Sequence, residues 1–163
     1  MAITSEAFRD ALRHFPAGVT IVTIKSGEEV HGLTVSAFAS VSPDPPLVLI
    51  CIDHHHRAHE LLQTPGASFA VNILGEDQAE LSNRFAYVKG EDRFAVGDWR
   101  VAETGAPVLA DALAWLDCSI FAHADAGTHT VYIGEAQASS VPAPDQEPLI
   151  YWNRAYRRIE PLP

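Results

Sequence analysis

The sequence is short of several features that would point quickly to a function. Lysine and arginine total 11 of 163 residues, against 21 aspartates and glutamates, which leaves a net charge of −10. A field of that sign repels polyanions, and no basic cluster forms a track for a phosphate backbone, so nucleic acid is not expected as a partner. Cysteine is scarce. Cys51 and Cys118 lie in apolar, strand-like runs without CxxC spacing and read as buried free thiols, not as a disulfide scaffold. Charges or turn residues interrupt every apolar stretch before the roughly 18 residues that a membrane span needs. The first residues, MAITSEAFRDALRHF, lack the basic start and apolar run of a signal peptide. The expectation is a cytoplasmic protein with no membrane association.

What is present is enough apolar material, 47% of the chain, for a substantial core in one domain spanning residues 1–163. Ala7, Phe8, Ala11, Leu12 and Phe15 recur at helical spacing behind Thr4 and Ser5, predicting an amphipathic helix over 5–14 that Pro16 ends. GVTIVTIK (18–25) and the run from Val30 to Val41 predict a hairpin about SGEE. After the stop at SPDPP, LVLICID (47–53) reads as a central strand buried on both faces. A short helix is expected over 57–63, a strand over 68–74, and a helix over 77–85 with Asp77 and Glu80 as a capping box. The polar region from Lys89 to Pro107, with Gly90, Gly97 and Gly105, reads as a long excursion. Strands over 113–124 and 129–141 flank DAGT, and LIYW (149–152) closes the series. About seven strands with only short helices between them predict a mainly β, antiparallel barrel or sandwich. A Rossmann fold is disfavoured, because regular β-α alternation and a GxGxxG turn are both missing.

Three local patterns bear on chemistry. DHHHRAH, Asp53 to His59, contains histidines that would share a helical face, so a metal-binding module through His54–His59 is one reading. Adjacent histidines point in different directions, however, and no HExxH is present, so no metal is assigned. A polar strand-to-helix loop, or donors that with Arg57 face an anion, are the other readings. Nucleophilic catalysis lacks support, since there is no GxSxG elbow and neither cysteine has a basic neighbour. In GLTVSAFASVS, Thr34, Ser36, Ala37, Ala39, Ser40 and Ser42 are small. Short side chains let a flat ligand approach the backbone, although a tightly packed strand reads the same way.

Seven blocks then occur in order: FPAGVTIVT, HGLTVSAFASVSPDPPLVLICID, FAVNIL, LSNRFA, PVLADALAWLDC, AGTHTVYIGEAQ and PLIYW. Together, from about Phe8 to Tyr156, they resemble the flavin reductase-like family, the small reductase components of two-component flavin-dependent monooxygenases. The resemblance implies an FMN-binding split β-barrel, usually a homodimer, that transfers hydride from NADH or NADPH to FMN or FAD and in many members supplies reduced flavin to a partner oxygenase. It places Thr34, Val35, Ser36, Ala37, Phe38, Ser40 and Val41 along the isoalloxazine. Cys51, Ile52 and Asp53, followed by Arg57 and Ala58, would run along the ribityl-phosphate arm, with Arg84 and Phe85 closing over it. His129 would sit near the nicotinamide in a positioning or proton-donating role, and the stretch from Tyr151 through Asn153 to Tyr156 would border it. Two departures stand out: the family's Gly-Asp-His reads Gly127-Thr128-His129, and its hydroxyl-bearing loop reads His54-His55-His56 and Ala58. An FMN-bound electron carrier that never releases its flavin would need the same pocket.

Overall fold

Thr4 starts the first helix as expected, its hydroxyl accepting the Ala7 amide at 3.1 Å. In the computed structural model, which describes residues 2–89 and 92–162, that helix is α1 (Ser5–Leu12). Its apolar side chains do not enter the core, and Phe8 and Leu12 each remain about half exposed at 51% and 52%. After the short β1 (Ala17–Gly18), strands β2 (Thr20–Ser26) and β3 (Glu29–Val35) pair antiparallel across a turn at Gly27, whose positive φ of 56° suits glycine. The expected run to Val41 is broken in two. β3 stops at Val35, Ser36 and Ala37 leave the ladder, and β4 (Phe38–Pro43) follows, turning at Asp44-Pro45 into β5 (Pro46–Asp53).

Next come α2 (Arg57–Leu62), β6 (Ser68–Ile73), and a 3₁₀ turn over Glu76–Gln78 that leads into α3 (Ala79–Tyr87). The cap of that turn is not the expected Asp77–Glu80 pair: the Gln78 side-chain oxygen accepts the Gly75 amide at 2.9 Å. The expected excursion also holds structure. It contains the small hairpin of β7 (Trp99–Val101) and β8 (Pro107–Leu109), while Gly90 lies outside the described residues. β9 (Ala114–Ala126) and β10 (His129–Ser140) form the long hairpin, and β11 (Ile150–Trp152) pairs with β1 and with β12 (Ala155–Arg157) in a side sheet.

The main sheet is antiparallel throughout, in the order β3-β2-β6-β9-β10-β5-β4. Its two edge strands are consecutive in the chain, so Ser36 and Ala37 step from one edge to the other and the barrel is split there. The core inside is built from Val22, Ile24, Ile50, Ile52, Phe69, Val71 and Tyr132. At Gly134 an added Cβ would come within 2.3 Å of the Phe69 ring, so only glycine lets β10 bend over it, beside a register shift between Ile133 and Gly134.

β5 departs from the expectation of a central strand buried on both faces. It lies next to edge strand β4, and Val48, Ile50 and Ile52 point inward while Leu47, Leu49 and Cys51 are half buried. A barrel strand has one interior face, so the uninterrupted apolar run marks a second apolar surface outside the barrel. Cys118 is buried as expected and Cys51 only partly; both are free thiols, and burial pushes Cys118 up to about 12.

Candidate functional site

The step at Ser36-Ala37 is held by the backbone: the Cys51 amide donates to Ala37 O at 3.1 Å and the Phe38 amide to Ser36 O at 3.0 Å. Three hollows meet along it. One, of about 220 Å³, is lined by Leu33 to Ala37, Cys51 to Asp53, His56 and His129. A second, of about 200 Å³, lies on the other side of Thr34 and Ser36 against Ser82, Tyr151 and Tyr156. The third, of about 370 Å³, runs under Leu12 and Phe15 over Ala37, Phe38, Leu49 and Cys51. A larger hollow of about 440 Å³ on the outer side of α3, beside Arg84, Tyr87 and Val96, shares no residue with this step. Volume would favour that site, but short side chains, aromatic walls and titratable groups converge at the Ser36-Ala37 groove, and chemistry follows such groups.

β10 places His129 opposite Asp53 in the ladder, with Nε2 4.0 Å from Asp53 Oδ2. Its Nδ1 lies 2.9 Å from the Thr128 hydroxyl, so the residue standing in the family's aspartate position still contacts the imidazole. The His55 amide donates to Asp53 Oδ1 at 2.8 Å, and this bond, with His129 and its neighbours, holds the Asp53 carboxyl below the usual range. Asp53 is therefore anionic at neutral pH. Burial raises the Cys51 thiol, which leaves it protonated there. On the opposite wall the Thr34 hydroxyl donates to Ser82 O at 2.6 Å, and the Tyr156 hydroxyl lies within hydrogen-bond distance of Ser82 Oγ, at 2.8 Å, and of the acceptor Asn83 Oδ1, at 2.9 Å. Tyr151 and Tyr156 stand edge to face, their centroids 5.6 Å apart. Asn153, at φ 47°, makes the tight turn between β11 and β12, and its amide donates to Arg13 O.

Thus Thr34, Val35, Ser36, Ala37, Phe38, Cys51, Ile52, Asp53, His129, Tyr151 and Tyr156 gather about one groove. Other expected residues lie elsewhere. Ser40 and Val41 are exposed farther along β4. Ala58 is fully buried in the core, and its amide donates to His56 Nδ1 at 3.2 Å, so it is not presented to a phosphate. Arg57 is bound by two carboxylates, Glu29 at 2.7 Å and Glu60, which raise its pKa further and occupy its donors. Phe85 is 1% exposed and packs behind Gly32 against Phe94 and Trp99, so it backs the strand and does not close over the groove. Arg84 donates to Asp92 O and Arg93 O and anchors that loop.

The histidine run is likewise engaged. The His54 amide donates to Thr128 O, its Nε2 lies 3.1 Å from the Thr130 hydroxyl, and that hydroxyl donates to Asp125 at 2.6 Å. His59 Nδ1 meets the Tyr132 hydroxyl at 2.8 Å. These contacts pin α2 to β10. Among the described residues, no group of three or more histidine, cysteine, aspartate or glutamate side chains is placed to hold a metal ion. The Ser82 anchor beneath Tyr156 was missed from sequence; its signal was its place in LSNRFA.

A split barrel whose opening is a small-residue groove, with a histidine-carboxylate pair on one wall and tyrosines on the other, has the shape and chemistry to accommodate a flat aromatic ligand. Residues 12–160 match the family model of the flavin reductase like domain, and the chain belongs to that family. It is 36% identical over 160 residues to the reductase subunit of a flavin-dependent monooxygenase of Mycobacterium tuberculosis, covering 98% of this chain and 84% of that one. The reductase component of an FADH(2)-dependent resorcinol hydroxylase of a Rhizobium species is 38% identical, covering 94% of this chain and 87% of its own. Among solved structures, the NADH:FAD oxidoreductase of Streptomyces globisporus superposes with a TM-score of 0.89 at 35% identity, covering 99% of this chain and 97% of that one. The same oxidoreductase in complex with NAD and FAD fragments gives a TM-score of 0.85.

Proposed function

We propose that this chain is an NAD(P)H:flavin oxidoreductase that binds FMN or FAD in the groove along Thr34–Phe38 and supplies reduced flavin to a partner monooxygenase. The observation that carries this reading is the Ser36-Ala37 step, where the barrel is open, the side chains are short, and His129 and Asp53 face the same hollow. The residues suit a flavin: the short side chains allow a flat ring to lie against the backbone, and Tyr151 and Tyr156 give an aromatic wall on the far side of Thr34 and Ser36. Once both are bound, the dihydronicotinamide supplies the hydride and the flavin accepts it.

The chain's own work is positioning and electrostatics. Short residues at 36 and 37 set how closely the ring approaches the backbone, and holding two reactants in near-attack geometry is worth roughly 7 to 11 kcal/mol of barrier. Thr128 at Nδ1 and anionic Asp53 near Nε2 orient His129 at the edge of the hollow, where it can hold or donate a proton. Tyr156, tied to Ser82 and Asn83, fixes the second wall.

A homodimer belongs to the same reading, since Phe8 and Leu12 on α1, Phe15 just after it and Val41 on β4 are large apolar residues left exposed, which a second copy would bury. A single domain in the cytoplasm, where NADH is at hand, completes it. Steady-state oxidation of NADH with increasing free FMN or FAD tests the reading. Turnover that rises with flavin to saturation supports it; a protein that keeps its flavin and shows no such turnover is a carrier instead.

A further inference from the structure

Five of the chain's eleven lysines and arginines, Arg9, Arg13, Arg154, Arg157 and Arg158, lie on α1 with its cap and on the hairpin of β11 and β12 with the residue after it. The two elements meet directly, since the Asn153 amide donates to Arg13 O at 2.9 Å and Trp152 Nε1 donates to His14 O at 3.1 Å. Arg9 stands one helical turn before Arg13, beside the stripe of Phe8 and Leu12 and not in it. Alternation along β11 and β12 sorts the hairpin into two faces. Tyr151 and Tyr156, opposite each other in the ladder, line the second hollow of the groove. Trp152 and Arg157 stand on the outer face, with the guanidinium 5.6 Å from the ring centroid.

Few acids reach this face. Residues 149–159 contain three arginines and no aspartate or glutamate, in a chain of net charge −10. Asp10 pairs with Arg13 at 2.9 Å and Glu76 with Arg158 at 3.0 Å, but among the described residues Arg9, Arg154 and Arg157 have no carboxylate partner. Elsewhere the cations are engaged: Arg57 by Glu29 and Glu60, Arg100 by Asp98, and Arg93 by two carbonyls. Arg154 sits at the tip of the hairpin at φ 64°, in the left-handed region that glycine occupies without strain. The turn does not ask for an arginine at that position, so the exposed charge calls for another explanation.

We propose that this outer face docks an acidic surface of a partner protein. An exposed tryptophan flanked by unpaired arginines has the composition of an interface hot spot, and planar guanidinium groups take carboxylates two oxygens at a time. The size of the patch selects the partner. A membrane or a nucleic acid is an extended polyanion and meets the negative field of the whole molecule. An acidic patch on a protein meets mainly the arginines, because in about 0.1 M salt charges farther than about 10 Å are screened. The identity of the partner rests on the flavin reductase reading, in which it is the oxygenase that receives the reduced flavin. The same two strands carry the tyrosine wall inside and Trp152 and Arg157 outside, so a protein seated here stands one sheet's thickness from the groove.

A short fluorescein-labelled poly-L-glutamate peptide is the probe, titrated by anisotropy against the wild type, Arg9→Gln/Arg157→Gln and Arg154→Gly. The wild type should bind the peptide in about 0.1 M salt and release it in about 1 M, where the screening length falls to about 3 Å. Arg9→Gln/Arg157→Gln should bind about tenfold more weakly, with NADH oxidation in the presence of free flavin unchanged and a melting temperature close to that of the wild type. Arg154→Gly should also bind more weakly while melting no lower than the wild type, since glycine accepts the positive φ of the turn. A wild type that ignores the peptide in both salts, or a double variant that binds it as tightly as the wild type, overturns the proposal. So does tighter binding to phosphatidylserine vesicles than to the peptide, which would make the face a membrane contact. Peptide binding through the arginines in a protein without flavin turnover would keep the docking face and sink the flavin reductase reading; turnover without peptide binding would do the reverse.

Discussion

The two sides of the barrel are built on opposite terms. Along β2, β6 and β9, polar groups are sunk into the core and each is matched: Asn72 donates to Ile21 O at 3.0 Å and accepts the Leu109 amide at 2.7 Å, and Asp117 accepts both the amide and the hydroxyl of Thr104. These bonds tie Thr104 of the excursion and Leu109 of β8 to the wall. Across the molecule, between β3 and β5, the ladder stops, side chains shrink to serine and alanine, and an aspartate, a thiol and histidines stand half open. The satisfied wall concentrates matched buried polar groups, and the open side is where we propose that the flavin is received. Substitutions should therefore separate: melting temperature on one side, binding and turnover on the other.

The largest effect expected is on the wall. Phe69 is fully buried beneath Gly134, and Phe69→Ala should cost about 4 kcal/mol and lower the thermal midpoint by roughly 10 °C. A midpoint within a degree or two of wild type would show that the wall is not the stable half. On the open side, His129→Ala should slow flavin reduction about 100-fold in single-turnover kinetics and leave the melt unchanged. Unaltered rates would remove His129 from the site. Asn72→Ala strands the Leu109 amide and the Ile21 carbonyl and should cost about 2 kcal/mol by denaturant titration, with flavin affinity retained. Coupled loss of affinity would mean that the two sides do not act separately.

The smallest effect lies at their junction and depends on pH. Burial first, then the neighbouring His56 and Arg93, lower His31 in the folded chain from its ordinary 6.5 to about 4, so the folded state disfavours its protonation. The stability tied to neutral His31 is complete above about pH 6.5 and is lost as pH falls toward 4. His31→Gln should flatten the acid limb of the melting curve in that window; an identical limb would place the acid sensitivity elsewhere.

The strands and the split barrel were legible because alternation and turn residues are local signals, and seven ordered blocks fixed the family. The groove was legible as far as its residues lie on β3, β5 and β10. Failures came where tertiary contacts decide. Phe85 reads as a ligand-facing aromatic, but Gly32 opposite it lets the ring pack inward with Phe94 and Trp99. Arg57 reads as a phosphate donor until Glu29, 28 positions earlier in the chain, reaches it. LVLICID looks doubly buried because its outer face is apolar too, on the same side as the uncovered residues of α1. His31 carried no sequence signal; only its burial beside His56 makes it notable.

The central claim is that the Ser36-Ala37 step receives the flavin ring, and a fluorescence titration of Ala37→Leu with FMN tests it most directly. Leucine at 37 projects into a hollow bordered by Cys51 and Phe38 without entering the sealed wall. Flavin affinity should fall at least about tenfold, with a melting temperature close to that of the wild type. Unchanged affinity in a normally folded Ala37→Leu protein would contradict the account and move the flavin away from the barrel's open side.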